Sequence, residues 1–425
     1  MVEVFCLFGY IQWMKRIYLD YASLTPIDSR VIREIKKYSS PMYANPSSLH
    51  GEGVTALRAL DDGRRRTATF IGAHHDEIVY VSGGTEANGL ALEGAARAAV
   101  HAGITKPHMV ISSIEHSSIM ETASMMEKHG CEVTRLAVDY AGVVSIEELK
   151  KAIKPNTFLV SIMAVNNEIG SIQPLREIAG VIREARKRIR GEGVTSSFSF
   201  PLFHTDAAQA ALYLDLNVEK LGVDLLTLDG GKVYGPRGIG CLYVRRGTPI
   251  EPIIHGGGQE NGLRSGTENL PGIMGFARAL DIAGAERDGE SERIRGLREY
   301  FFTELKKVCP EAQVVPDLDM SNSAQVTKKV VTSLPFSNSS LRAGAPHILN
   351  VSIPEIDNEF FVLQLDAKGV AVSTKSSCLR DLDESYVLRA IGADSGTSVR
   401  FSFGRWTGRS DLRKTLAVIA RILRS

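Results

Sequence analysis

The chain has 425 residues, 44% hydrophobic and 23% charged, with 50 basic against 49 acidic residues and a net charge of +1. A chain of this length buries a large core and is expected to form one large domain plus a smaller one, while the balanced charge excludes the electrostatic footprint of a nucleic-acid or anionic-membrane binder. Five scattered cysteines, Cys6, Cys131, Cys241, Cys309 and Cys378, make no CxxC pair, which excludes a disulfide framework and a zinc site and points to a reducing, cytoplasmic compartment.

No apolar run reaches the ~18 residues of a membrane span. The opening stretch MVEVFCLFGYIQWMK lacks the basic n-region and small-residue cleavage site of a signal peptide. Met14 begins MKRIYLDYA and is the expected native start, which makes the residues before it an over-extended reading frame. Ile17 to Tyr21 reads as a short strand, Asp28 to Tyr38 as a helix, and YANPSSLH (Tyr43 to His50) as a turn-rich loop before a helix over Glu52 to Phe70. A β-branched strand, Glu77 to Ser82, then runs through Gly83-Gly84-Thr85-Glu86 into an alanine-rich helix, Ala87 to Ala99. Strand, glycine turn and helix start in that order make an anion site, because backbone N–H groups and the positive helix end point at one place. The stretch lacks both Walker and GxGxxG spacing, so a single phosphate is the expected guest.

Strands and helices alternate from there: strand Met109 to Ser112, helix Ser117 to His129, strand Glu132 to Val138, a capping box at Ser145 and Glu148, strand Phe158 to Ala164, and helix Leu175 to Ile189. Such alternation implies an α/β fold with a mainly parallel sheet covered by helices on both faces. Chemistry is then expected at strand C-termini, where Thr85, Glu115-His116, Asn166-Asn167-Glu168, Asp206 with Gln209, and Lys232 all fall. Lys232 follows the apolar run Asp224 to Leu228 and precedes a Gly-Pro-Arg-Gly turn. A lysine on a tight loop past a buried strand is held in place and partly desolvated, which favours its nucleophilic amine form. An aldehyde cofactor such as pyridoxal phosphate needs that amine together with a carboxylate that keeps its ring nitrogen protonated, and Asp206 at a strand end supplies one.

Beyond Lys232, a strand over Gly238 to Arg245 leads to the glycine-rich loop HGGGQENGLRSGTEN, with Arg264 and Thr267. Long helices from Pro271 to about Val308 mark the crossing into a second domain, and the polar residues within 316–347 read as a surface excursion. A strand over Ile348 to Ile353, a helix over Glu359 to Ala367, a strand over Ser398 to Phe403 and a final amphipathic helix complete the chain. The stretch STKSSCLRDLDE is polar, with Lys375 and Arg380 near the Cys378 thiol to favour its ionised form, whereas Cys131, Cys241 and Cys309 read as small buried hydrophobes.

From Ile17 onward the chain resembles the cysteine desulfurases of the NifS/IscS type, class V aminotransferases among the fold-type I pyridoxal-phosphate enzymes. The resemblance rests on YLDYA, NPSSLH, SGGTEAN, EHSSI, VNNEIG, HTDAAQ, GGKVYGPRGIG, RSGTEN, LNVSIP, SYVLRAIG and SVRFSFGR, in that order. It implies a mainly parallel sheet of the seven-stranded type between helices, plus a smaller α+β domain. On that division residues 1–27 join the small domain, 28–276 form the large cofactor-binding domain and 277–425 the small domain with the Cys378 loop. Carried over residue by residue, it implies that Lys232 is the Schiff-base lysine and proton carrier, that Asp206 pairs with the pyridinium nitrogen and Gln209 with the phenolic oxygen, and that His116 stacks on the ring as an acid/base group. Gly84 and Thr85 would hold the phosphate, joined by Thr267 of a neighbouring subunit in a homodimer with shared sites. Asn167 would serve both cofactor and substrate, Arg400 would clamp the substrate carboxylate, and Cys378, in a loop of the long type, would accept the sulfur.

The activity so implied converts L-cysteine to L-alanine and passes sulfur to an acceptor, an iron–sulfur scaffold or a tRNA-thiolating enzyme. Selenocysteine lyase, cysteine sulfinate desulfinase, a small-substrate aminotransferase and a weakly active paralogue serving as a sulfur-transfer binding subunit stand as alternatives. Three positions depart from the family pattern: Asp229 where a Ser or Thr is usual, Gly231 where a His is usual, and Gly89 in place of an Asn. The first two lie where the family holds the cofactor phosphate, and a carboxylate there repels that phosphate unless it is turned away or protonated.

Overall fold

In a computed structural model the described residues are 16–40, 42–191, 200–316, 344–375 and 384–424. Their elements, in chain order, begin with β1 (Ile17–Tyr18), α1 (Ser29–Ser39), α2 (Gly51–Ile71), β2 (Ile78–Val81) and α3 (Gly84–Gly89). A π-turn over Leu90–Gly94 joins α3 to α4 (Ala95–His101). Then come β3 (His108–Ser112), α5 (Ser117–Lys128), β4 (Glu132–Leu136), α6 (Ile146–Ala152), β5 (Thr157–Ser161), α7 (Leu175–Gly191) and β6 (Leu202–Asp206). They are followed by α8 (Val218–Leu221), β7 (Leu225–Asp229), β8 (Gly240–Val244), α9 (Leu270–Val308), β9 (Gln313–Val315) and β10 (Ile348–Ser352). Last are α10 (Asn358–Ala367), β11 (Val370–Ala371), α11 (Tyr386–Ala390), β12 (Ser398–Ser402) and α12 (Arg409–Ile422).

The main sheet has seven strands in the order β2-β8-β7-β6-β5-β3-β4. Neighbours from β7 to β4 run parallel, and β8 alone is reversed, antiparallel to both β2 and β7. Strands β3, β5, β6 and β8 are buried along their whole length, as expected of a sheet covered on both faces. A buried polar cluster crosses the sheet: His204 bonds Ser161 Oγ at 2.8 Å and Thr227 Oγ1 at 3.0 Å, across three adjacent strands. Burial pulls the His204 pKa down to about 3, so the ring is neutral in the core.

A second sheet, β12-β10-β9, is antiparallel, and the N-terminal β1 pairs in parallel with β11. One continuous helix, α9, spans 39 residues where several long helices are expected from the sequence, and its end packs Phe301 against Phe401 and Phe403 at ring separations of 4.9 and 5.7 Å. The predicted surface excursion over 316–347 is buried at its described ends, Pro316 and residues 344–347, because His347 stacks on Tyr213 at 4.4 Å; its middle, 317–343, lies outside the described residues, as do residues 1–15. Gly72 ends α2 in the left-handed region at φ +68°, donating its N–H to the Ala68 and Thr69 carbonyls, a conformation that strains a residue with a Cβ. Among the described residues no helix is long and apolar enough to cross a membrane, and no cluster of His, Cys, Asp and Glu suits a metal ion.

Candidate active site

The C-terminal ends of the parallel strands open on one cavity of about 370 Å³. Gly84, Thr85, His116, Asn167, Asp206, Gln209, Lys232 and Arg400 all line it, so eight of the residues singled out from the sequence meet in one place. Thr267 does not: it lines an adjoining cavity of about 230 Å³ with Ser82, Arg264 and Glu268, and the two cavities meet at Gly238. Cys378 lies outside the described residues.

Asp206 ends β6 and is 7% exposed. Its carboxylate is held on both sides, with Oδ1 accepting from the Ala208 N–H at 3.0 Å and Oδ2 accepting from Asn88 Nδ2 at 2.8 Å. Asn88 Nδ2 also donates to Ser118 Oγ at 2.9 Å, which in turn contacts His116 Nδ1 at 2.9 Å. His116 caps α5, its Nδ1 accepting the Ser118 backbone N–H, so the neutral ring keeps its proton on Nε2. Four residues from three elements are thus tied into one chain that fixes the acid and the imidazole relative to each other. Asn88, missed in the sequence, had a local signal: it stands one helical turn from Gly84 within SGGTEAN, on the same face.

Lys232 follows β7 through a single 3₁₀ turn, Gly230–Lys232, and its amine donates to the carbonyls of Ala22, at 3.1 Å, and Ser23. Gln209 Nε2 donates to the same Ala22 carbonyl at 2.8 Å, while its Oε1 accepts from His347 Nε2 at 3.1 Å. Burial pulls the His347 pKa down to about 3, which keeps the ring neutral and able to donate there. The N-terminal segment Ala22-Ser23-Leu24 therefore forms one wall of the cavity. Neither this wall nor His347 is readable from local pattern, since both come from chain remote from the strands they meet.

Arg400, on β12 and 1% exposed, donates from Nη1 to the Asn167 carbonyl at 2.8 Å and from Nη2 to Asp20 Oδ1 at 2.9 Å and Ser23 Oγ at 2.8 Å. Its planar fork is thereby fixed at the cavity wall, with its charge paired to the Asp20 carboxylate. The neighbours of these residues are structural. Asn166 shapes its loop by accepting from the Glu168 and Ile169 N–H groups, and Glu168 accepts from Ser385 Oγ at 2.6 Å. Cys131 and Cys241 are buried as expected, and burial pushes the Cys131 thiol up to about 12; Cys309 is only half-buried.

Glu115, beside His116, faces inward. Burial, with the Asp206 charge adding to it, raises its carboxyl to about 8, against the opposing hydrogen bonds from Ser112 Oγ at 2.5 Å and the Met163 N–H at 3.0 Å. A folded-state pKa raised above the unfolded value gives stability that is full below the ordinary carboxylate range and is lost as pH climbs through about 8. Glu115→Gln is accordingly expected to flatten the decline in thermal stability between about pH 5 and 8 by on the order of a few kcal/mol. Parallel unfolding curves for both proteins across that range would show the carboxyl ionising freely instead.

An aromatic aldehyde with a basic ring nitrogen fits this donor set: a buried carboxylate, an amine, a fixed imidazole and an amide surround a space of its size. The seat for a phosphate differs, because Asp229 Oδ2 already accepts the Gly84 N–H at 2.8 Å.

Comparison with known proteins gives a consistent result. The family model for class-V aminotransferases matches residues 17–331. The cysteine desulfurase IscS of Dictyoglomus turgidum is 39% identical over 415 residues, covering 96% of this chain and 95% of the relative. The mitosomal cysteine desulfurase of Trachipleistophora hominis is 36% identical, covering 94% and 84%. Among solved structures, a NifS-like protein superposes with a TM-score of 0.82 at 31% identity, covering 96% of this chain and 99% of the other. The structure described as SspA in complex with cysteine superposes at 0.71 and 33% identity, covering 91% and 98%. With sequence, fold and cavity in agreement, this chain belongs to the class-V aminotransferase family.

Proposed function

We propose that the chain is a pyridoxal-phosphate-dependent cysteine desulfurase that converts L-cysteine to L-alanine and passes the sulfur on through Cys378. The observation that carries this reading is the placement of Asp206 and Lys232 on one cavity with His116, Gln209 and Arg400 around them. It is supported by relatives named cysteine desulfurase along nearly the whole chain and by a solved relative in complex with cysteine.

When bound, the cofactor supplies an aldehyde and a protonated ring that withdraws electrons from the substrate Cα. Asp206, pinned by Asn88 and Ala208, holds the proton on the ring nitrogen. Gln209, oriented by His347, would hold the ring's oxygen substituent through its amide. Lys232, whose amine is held by the Ala22 and Ser23 carbonyls, would be the residue to hold the cofactor's aldehyde end and to move the Cα proton. Arg400 and Asn167 orient the substrate carboxylate. The Cys378 thiolate attacks the substrate Sγ; an S–S bond forms, the substrate C–S bond breaks with its electron pair left on carbon, and a proton delivered there completes alanine. The acceptor is an iron–sulfur scaffold or a tRNA-thiolating enzyme. The working unit is a homodimer in which Thr267, which lines the adjoining cavity, serves the partner's site.

The test follows alanine release and the mass of the Cys378 peptide after incubation with L-cysteine and cofactor. Wild-type protein is expected to release alanine and gain one sulfur on that peptide. Cys378→Ala is expected to lose at least about a hundredfold in alanine formation with a sulfur acceptor present. Undiminished turnover in that variant overturns the role of Cys378.

A further inference from the structure

The phosphate end of the cavity carries a feature that the reading above does not require. Asp229, the last residue of β7, lines the same cavity as Gly84, Thr85 and Lys232 and turns its carboxylate into the glycine turn. Oδ2 accepts the Gly84 N–H at 2.8 Å and Oδ1 accepts the Gly231 N–H at 2.8 Å. Both amides stand where an anion would be received. The surrounding glycines leave room for this approach: a Cβ on Gly83 would lie 3.1 Å from Oδ2, one on Gly84 3.4 Å from Oδ2, and one on Gly231 3.1 Å from Oδ1. Gly83 also sits at φ +155°, a conformation L side chains rarely adopt.

We propose that Asp229 is a resident anion in the phosphate seat and makes this chain discriminate weakly between the phosphorylated and unphosphorylated forms of its pyridoxal cofactor. The inference rests on the proposed cofactor reading. A backbone N–H that donates to a carboxylate must give up that bond before it can donate to a phosphate. A phosphate monoester carries about two negative charges, and a carboxylate a few ångströms away opposes it through a dielectric far below that of water. The ring-binding residues, Asp206, Gln209 and Lys232, would bind the part common to both forms, and the unphosphorylated form brings no phosphate for Asp229 to oppose. The charge at 229 therefore acts on the phosphorylated form alone, lowering the gain in affinity that the phosphate would otherwise bring.

The experiment titrates the full-length protein with pyridoxal phosphate and separately with pyridoxal, reading absorbance and intrinsic fluorescence, in wild type, Asp229→Asn and Asp229→Ser. Wild type is expected to prefer the phosphorylated form by less than about tenfold, roughly 1.4 kcal/mol. Both variants are expected to widen that preference by at least about tenfold, through tighter binding of the phosphorylated form with pyridoxal affinity unchanged. Asp229→Asn keeps a side-chain oxygen to accept from an amide and so guards against collapse of the turn, and circular dichroism of each variant checks its fold. The idea is overturned if wild type already prefers the phosphorylated form by a thousandfold, or if neither variant widens the preference. Lys232→Ala separates the two layers of argument. Lys232-dependent binding of both forms with an unchanged ratio sinks the role of Asp229 alone, while binding of neither form to wild type sinks the cofactor reading and this inference with it.

Discussion

Lys232→Ala is expected to lower alanine formation from L-cysteine by at least about a thousandfold, because the variant lacks both the amine that meets the cofactor aldehyde and the group that moves the Cα proton. Lys232 donates to the backbone carbonyls of Ala22 and Ser23, at the wall of an open cavity. Water replaces the lost donor there, so folding stability should change little while activity collapses. Borohydride reduction provides a second readout: wild-type protein with cofactor should gain a covalent adduct on the Lys232 peptide, and the variant none. Retention of more than a tenth of the activity, or an adduct at another lysine, would remove Lys232 from the centre of the mechanism.

The largest stability effect should come from the far side of the glycine turn. Arg64 and Glu260, 9% and 6% exposed, form a bidentate pair with both N···O distances at 2.8 Å. Glu260 Oε2 also accepts the Tyr80 N–H at 2.8 Å, so a single carboxylate ties α2, β2 and the loop that carries Thr267. Removing one partner of such a pair leaves the other charge buried and unanswered, which typically costs about 3–5 kcal/mol. Glu260→Ala should shift the urea midpoint accordingly. The double variant Arg64→Met/Glu260→Leu should recover most of that loss, since it leaves no orphaned charge. A loss under about 1 kcal/mol in Glu260→Ala would mean that water reaches Arg64.

How much of this could be read in advance varies with the range of the interaction. The alternation of apolar strands and amphipathic helices was enough for a covered parallel sheet, and the strand-end rule put Thr85, His116, Asn167, Asp206 and Lys232 at the right mouth. The reversal of β8 was not visible, because an apolar run such as GCLYV has the same period in either direction. The continuity of α9 was not read in advance, since the same span was expected to hold several long helices. Asp229 was recognisable as an unusual residue at its position. That its two oxygens both turn onto glycine N–H groups required the coordinates.

By itself, then, the order of residues determined most of the elements, the sheet class and most of the polar groups that line the cavity, because these follow from periodicity and from motifs a few residues long. Only the folded chain decided which groups meet. The Ala22 carbonyl that receives both Lys232 and Gln209, the His347 that orients Gln209, and the Asn88 bridge from Asp206 to His116 join segments up to some two hundred positions apart. Contacts of that span come from how sheets and helices close over a common core, and no local pattern in the sequence encodes them.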